Sequence, residues 1–483
     1  MKLFGKNTIL KNTTLYTIGN VLPSVLSFVL LPFYTHYLSP SSYGIIQSME
    51  LLKSFLVIFM SLGLRNAIYR LSFEYTEDQK KYFYGTILIT ISISSLILVI
   101  SNIFIISDEL NMIFESIPFY PFYVYTIIIS AIQAFSFLPL AYFVVEQKVN
   151  HFIFFSVGQF LVDALLKIYF ISFRHMGVEG YLLSTLISLS FFIPIYLIAM
   201  RKDVKLKFNL HYFKDSISYS LPLIPVSLSS LIMNLSDRVF IDRYFHLHEV
   251  GIYSMGYKIA GIILILTSAF RLAYDPIYFR IMKTKNNNLE FEKNKLKIKS
   301  YNTLYALMII LVGLLIILYS RETVVLLLDD KYYQSYLIIP IITISYIVGK
   351  IGEIDNLTIY QAKKTKLMMN IILLSALLNI ILNFLFIKSY GMYGAAVATL
   401  ISTLFLNHIR RYFTKQIMQI GFYFKPISIS GVILLVSTIV SYKLIIDNLV
   451  ISIFIKLFLV IISMLVVFLS NKKFILETIK SLS

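Results

Sequence analysis

Hydrophobic runs of about 20 residues, separated by short polar or basic stretches, recur along this chain at 14–34, 43–64, 83–106, 118–145, 152–173, 178–200, 216–236, 249–270, 300–320, 335–360, 367–387, 391–409, 427–445 and 449–470. Each run is long enough to cross about 30 Å of hydrocarbon as a helix. The strands of a membrane barrel would instead alternate over about 10 residues, and these runs are continuous. The expected fold class is therefore all-α, a polytopic membrane protein of about fourteen transmembrane helices.

The first six runs resemble the next six. GVEGYLLSTLIS begins at Gly177 and GMYGAAVATLIS at Gly391, 214 positions on, while YLSPSSYGIIQSM from Tyr37 matches YFHLHEVGIYSMG from Tyr244 at a spacing of 207. Six helices per repeat means that both halves enter the membrane in the same direction, so the repeats are parallel and related by an axis along the membrane normal. The expected organisation is an N-terminal six-helix lobe at 1–214, a second six-helix lobe at 215–424, and two further helices with a tail at 425–483. Such a duplication places a pathway between two bundles and points to transport.

Composition narrows the class. With 58% hydrophobic and 14% charged residues and a mean hydropathy of +0.79, the chain cannot cover itself with a water-soluble surface. A net charge of +18 would suggest nucleic acid in a soluble protein. Here 31 of the 43 basic residues fall on one side of the expected bilayer, among them Lys2, Lys6 and Lys11; Arg201, Lys202, Lys205, Lys207 and Lys214; Lys283, Lys285, Lys293, Lys295, Lys297 and Lys299; Lys363, Lys364 and Lys366; Arg410, Arg411 and Lys415. The opposite loops hold Arg174, Arg238, Arg243, Arg321, Lys331, Lys388 and Lys443. That asymmetry is the positive-inside pattern, which with an even number of crossings puts both termini in the cytoplasm and removes the case for nucleic acid. No cleavable signal peptide is expected, because the first run follows a basic, polar stretch and is itself followed by thirteen more.

Catalytic chemistry has little room. The outward connections run to roughly a dozen residues, too short to fold as domains. The chain has no cysteine, which excludes disulfides and thiolate metal sites, and its seven histidines are scattered. His246 and His248 have no nearby Glu or Cys ready to complete a metal site, and Asp329 and Asp330 read as a solvated acidic turn. No catalytic residue, metal or cofactor is expected, and no enzyme activity.

Charges inside the runs carry more information, because each costs about 2.5 to 3.5 kcal/mol at mid-bilayer and so turns toward a bundle interior or a hydrated cavity. Glu50 and Lys53 lie three apart, Asp163 and Lys167 four apart, and Lys350 and Glu353 three apart, with Asp355 just beyond. These spacings share a helical face, so each group either neutralises its neighbour or couples an ion, a proton or sodium. Lys258 has no acid at the positions three or four residues away on its own helix, and it stands near the repeat equivalent of Lys53. Lys456 is expected to snorkel toward the surface. Arg65 and Arg271 are near-equivalents too, at the expected inner ends of the second and eighth helices, where they serve either as positive-inside anchors or as forks for a phosphate. Lysines on both walls and arginines at the inner mouth would favour an anionic headgroup, which makes Lys258, Lys53, Arg65 and Arg271 the candidate substrate-binding residues.

The run SLPLIPVSLSSLIMNLSDRVFIDRYFHLHEVGIYSMGYKIAG from Ser220 to Gly261, the opening TLYTIGNVLPSVLSFVLLPFYTHYLSPSSYGIIQ, and the GMYGAAVATLIS segment resemble polysaccharide biosynthesis proteins of the Wzx flippase type, in the multidrug/oligosaccharidyl-lipid/polysaccharide exporter superfamily. The resemblance implies a V-shaped, two-lobe fold. It implies alternating access that flips a lipid-linked oligosaccharide repeat unit, on undecaprenyl diphosphate, from the inner to the outer leaflet, as in O-antigen and lipopolysaccharide biosynthesis. The expected partners are that lipid-linked oligosaccharide, membrane lipids, a polysaccharide polymerase and glycosyltransferases, with the protein itself a monomer. Three alternatives stand beside it. A multidrug exporter shares the fold but suits an acid-dominated cavity, a lipid II flippase is the nearest neighbour, and a membrane glycan polymerase should carry a large outer loop and lack the repeat.

Overall fold

The computed structural model describes residues 6–282, 288–362, 364–418 and 420–480; Lys2, Lys283, Lys285 and Lys363 of the expected basic clusters lie outside them. Among the described residues every regular element is a helix. Bilayer physics leaves the backbone of a lipid-exposed segment no other open-ended way to satisfy its own hydrogen bonds.

The first run forms α1 (Lys6–Val29) and α2 (Leu31–Tyr37), the latter opened by Pro32 in its first turn. Ser39 then caps α3 (Pro40–Met60) by accepting the Ser42 N–H at 3.1 Å. Gly63, at φ +66°, separates α3 from α4 (Leu64–Leu71). A capping box of Thr76 and Gln79 starts α5 (Glu77–Phe104), followed by α6 (Ser107–Asn111), α7 (Val124–Val145), α8 (Val149–Ile168) and α9 (Gly177–Met200). Asn209 caps α10 (Leu210–Ser220), which leads into α11 (Ile224–Ala260), broken at His246, and α12 (Ile262–Met282). Then come α13 (Asn288–Leu318), α14 (Ser320–Leu327), α15 (Ile339–Gly352), α16 (Ile354–Gln361), α17 (Thr365–Ile417), broken at Gly391, α18 (Phe424–Lys443) and α19 (Leu449–Lys480).

By length and apolar composition ten helical stretches of the described residues can cross a membrane, or eleven if the bent pair across residues 330–361 is one span. Fourteen runs were expected. The difference lies mainly in Leu210–Ser268 and Thr365–Ile417, each a single helical stretch holding two runs, and in the first run, which is interrupted at Leu30.

The repeat has a backbone signature. Gly177 opens GVEGYLLSTLIS at φ +53° and Gly391 opens GMYGAAVATLIS at φ +54°, a conformation that costs an ordinary L-residue about 1–2 kcal/mol. A glycine at positive φ therefore opens the matching segment in each half.

Packing divides the chain into two compact units, Met1–Gly251 and Ile252–Ser483, with the division inside α11. Residues beyond 214 stay with the first unit because they are bonded into it. Tyr75 donates to Asp215 at 2.9 Å and Ser116 to Asp242 at 2.5 Å, while a Cβ on Gly44 would overlap the Leu247 carbonyl oxygen. In that unit α7 packs against α3, α5 and α9, around a ladder of buried rings in which Phe155 stacks on Phe143 at 5.1 Å and on Tyr196 at 4.3 Å. In the second unit Tyr305, Ile309 and Leu314 of α13 meet Ile347 of α15, Leu434 of α18 and Val460 of α19 in one core, so the last two helices are integral to it.

Candidate functional site

In the first unit α8 carries Asp163 and Lys167 one turn apart. The ammonium lies 2.6 Å from the Asp163 carboxylate and 3.8 Å from the centre of the Tyr181 ring, and it is only 6% exposed. Thr185 of α9 donates to the other Asp163 oxygen at 3.0 Å, and Tyr34 of α2 meets Tyr181 edge to face. Carboxylate, hydroxyl and aromatic face together enclose this cation, the arrangement that makes a buried lysine tolerable. On α3, Glu50 and Lys53 form an ion pair. Arg65 lies on the separate helix α4, where it is exposed, its guanidinium stacked over Phe137 at 5.2 Å and Tyr69 at 5.7 Å.

The second unit gathers more charge. Arg271 grips Asp275 with two bonds of 2.8 Å and reaches Glu353 at 3.5 Å, while Lys350 holds the other Glu353 oxygen at 2.7 Å. Arg271, picked apart from the Lys350–Glu353 pair in the sequence, thus joins it in one cluster. Asp355 stands apart from it, bound to Arg411 at 2.7 Å. Lys258 sits half-buried in the last turn of α11 and is engaged with its surroundings.

Two features escaped the sequence reading. Arg410, counted there as a surface cation, is 3% exposed and donates to Asn407 at 3.0 Å. Its helical stripe announces this, because Thr399, Thr403, Leu406, Arg410 and Thr414 follow at threes and fours and are all buried. Lys456 does not snorkel. It is buried and gives both Glu322 oxygens 2.8 Å contacts, and Ser452, one turn earlier on α19, donates to the same carboxylate at 2.5 Å. The helix end at Glu322 offers lysine a nearer partner than the membrane surface.

Beside that pair an apolar cavity of about 220 Å³ runs between α13, α18 and α19, lined by Leu318, Val432, Val436, Val440, Leu459 and Ile462. It is apolar and open on one side, where Val432 and Val436 are exposed, and its lining suits methyl and methylene groups. Among the described residues no cluster of three His, Cys, Asp or Glu side chains could hold a metal ion.

A family model described as "Polysaccharide biosynthesis protein" matches residues 9–282. Among curated proteins, "Lsg locus putative protein 1" of Haemophilus influenzae is 24% identical over 292 residues, 57% of this chain and 67% of that protein. An "Uncharacterized membrane protein" of the same organism is 24% identical over 371 residues, 74% and 85% of the two chains. Among solved structures, lipid II flippase MurJ in an inward closed conformation superposes with a TM-score of 0.70 at 17% identity, covering 94% of this chain and 99% of that one. An inward-facing MATE family multidrug resistance transporter of the MOP superfamily gives 0.63 at 15% identity, covering 81% and 94%. At such identities the likeness is one of fold.

Proposed function

We infer the function from one premise: the chain belongs to the polysaccharide biosynthesis protein family, and it is a multi-pass membrane protein with the fold of MOP-type flippases and exporters. From there the reading is a flippase that carries a lipid-linked oligosaccharide on undecaprenyl diphosphate from the inner to the outer leaflet of a bacterial inner membrane, with both termini cytoplasmic and no bond made or broken. Family membership is the observation that carries it. The apolar cavity between α13, α18 and α19 adds support, since a polyprenyl chain needs such a lining.

In this reading the cations offered to an anionic cargo are Lys53 and Arg65 in the first unit, the Arg65 guanidinium exposed and stacked over Phe137 and Tyr69, and Lys258 and Arg271 in the second. Glu353, set between Lys350 at 2.7 Å and Arg271 at 3.5 Å, is the acid we assign to ion coupling. Asp163 and Lys167, closed off by Thr185 and Tyr181, serve to neutralise each other, as do Glu50 with Lys53 and Asp355 with Arg411. The structural likeness to MurJ and to a multidrug transporter favours lipid II or a drug as second readings of the cargo.

Deleting the gene is expected to leave lipid-linked repeat units on the cytoplasmic leaflet, measured by leaflet-specific digestion of the glycan. Normal polymerisation outside would overturn the reading, and accumulation of lipid II instead would redirect it. Lys258→Ala should abolish export at wild-type abundance while Lys258→Arg keeps part of it, since a half-buried ammonium in an apolar helix is costly unless it serves a ligand or a partner.

A further inference from the structure

Between α9 and α10 the chain runs without helix through residues 204–209. Its sequence there alternates: Lys205 and Lys207 are interleaved with Leu206, Phe208 and Leu210, and Arg201, Lys202 and Lys214 flank them. The backbone turns tightly at Leu206, where the Lys207 N–H donates to the Lys205 carbonyl at 2.7 Å. All of these side chains are exposed, Leu206 by 69%, Phe208 by 46% and Leu210 by 56%, and none of the five cations forms an ion pair with a described acid.

The segment is nevertheless fixed in place. The Lys205 N–H donates to the Lys81 carbonyl at 3.0 Å, the Asn209 N–H to Thr86 Oγ at 3.1 Å, and Thr86 Oγ reaches the Lys207 carbonyl at 3.4 Å. A Cβ on Gly85 would overlap the Lys205 carbonyl oxygen, so the strap lies directly on the backbone of α5. Its start is pinned as well. Asp203 accepts from Lys148 at 2.8 Å and from Tyr142, and although burial alone would raise its pKa, those bonds and the charges of Lys148 and Lys81 hold it below the ordinary carboxylate value. That acid is thereby taken; Lys205 lies over the Tyr82 ring at 4.8 Å, and Lys202 and Lys207 are exposed. Both ends also mark the depth: the strap leaves a spanning helix at Arg201 and crosses α5 at Lys81–Thr86, where its apolar run begins.

We propose that residues 201–214 form an anionic-phospholipid dock, in which Lys202, Lys205 and Lys207 take lipid phosphates at the bilayer surface while Leu206, Phe208 and Leu210 enter the acyl region beside them. Charge complementarity and depth both select lipid as the occupant, because basic residues set next to exposed large apolar ones match a headgroup layer above hydrocarbon. A preformed strap binds without the cost of ordering a loop. The inference is independent of what the protein transports.

The test uses the full-length protein in a neutral detergent, titrated with dioleoylphosphatidylglycerol or dioleoylphosphatidylcholine and read by its thermal midpoint. Phosphatidylglycerol should raise the midpoint and phosphatidylcholine much less, with the difference shrinking between about 0.05 and about 0.5 M salt as the charges are screened. Lys202→Gln/Lys205→Gln/Lys207→Gln should weaken the phosphatidylglycerol response about tenfold. Lys202→Gln/Lys207→Gln, which spares the Lys205 side chain packed on Tyr82, should lose part of it with an unchanged lipid-free midpoint. Lys293→Gln/Lys297→Gln should leave the response intact. A wild-type response in the strap variants overturns the proposal, and so does an equal loss in the Lys293/Lys297 variant, which would report net charge alone. Equal stabilisation by inorganic phosphate overturns it too, since it would make the strap a free-anion site.

Discussion

Glu322→Ala is expected to destabilise the protein by about 3–5 kcal/mol, as a lower thermal midpoint in detergent and reduced abundance in the membrane. The partners Lys456 and Glu322 are 1% and 2% exposed, with two 2.8 Å contacts between them. Removing the carboxylate strands an ammonium among apolar side chains, where Ser452 alone cannot replace a counter-charge. The diagnostic comparison is Glu322→Ala/Lys456→Met. With neither charge left to bury, the double variant should recover most of the loss, because a buried pair contributes less net stability than its breakage suggests. A double variant as damaged as Glu322→Ala alone would show that shape around the carboxylate, and not charge, matters there. Leu318, four residues before Glu322 across the α13–α14 junction, and Leu459, three residues after Lys456 on α19, both line the apolar cavity.

Gly251→Ala and Gly44→Ala should each cost about 1–3 kcal/mol in thermal stability, through contacts that are mirror images in the repeat. A Cβ on Gly251 would overlap the Pro40 carbonyl oxygen, and a Cβ on Gly44 the Leu247 carbonyl oxygen. Gly44 and Pro40 stand 207 positions before Gly251 and Leu247, the same offset as the sequence repeat, so each half supplies one glycine and one carbonyl to the crossing. A backbone carbonyl cannot rotate aside as a long side chain can, so the segments must part. Once they have parted for one methyl the second has room, and the double variant should cost clearly less than the sum of the singles. Gly431→Ala on α18, where nothing lies within 4 Å, is the control and should change stability by no more than about 0.5 kcal/mol. Additive losses at Gly44 and Gly251 would mean that the two contacts do not share one crossing.

The parts of this molecule that could be read from its sequence are those set by local periodicity. Runs of apolar residues gave the helices because length against bilayer thickness is a one-dimensional test. Glu50 with Lys53, Asp163 with Lys167 and Lys350 with Glu353 were visible because i,i+3 and i,i+4 neighbours share a helical face. What stayed hidden was set by packing between helices far apart in the chain. Glu322 and Lys456 are 134 residues apart, and nothing local to Lys456 distinguishes a buried cation from one that reaches the surface. Joining Arg271 to Glu353 needed α12 and α15 to be side by side. The break at His246, φ +66° in a residue that is neither glycine nor asparagine, has no propensity signal at all, so α11 looked like two helices with a loop between them.

That economy of loops has a counterpart in how α17 fits the bilayer. Straight, the 53 residues of α17 would extend about 80 Å, more than twice the hydrocarbon thickness, so the break at Gly391 is what allows both of its apolar arms to lie in the bilayer. A single residue out of helical conformation leaves no soluble tether between those arms. On the first arm the buried Asn383 amide donates to Asn379 at 3.2 Å, so two polar side chains facing away from lipid are accompanied within their own helix.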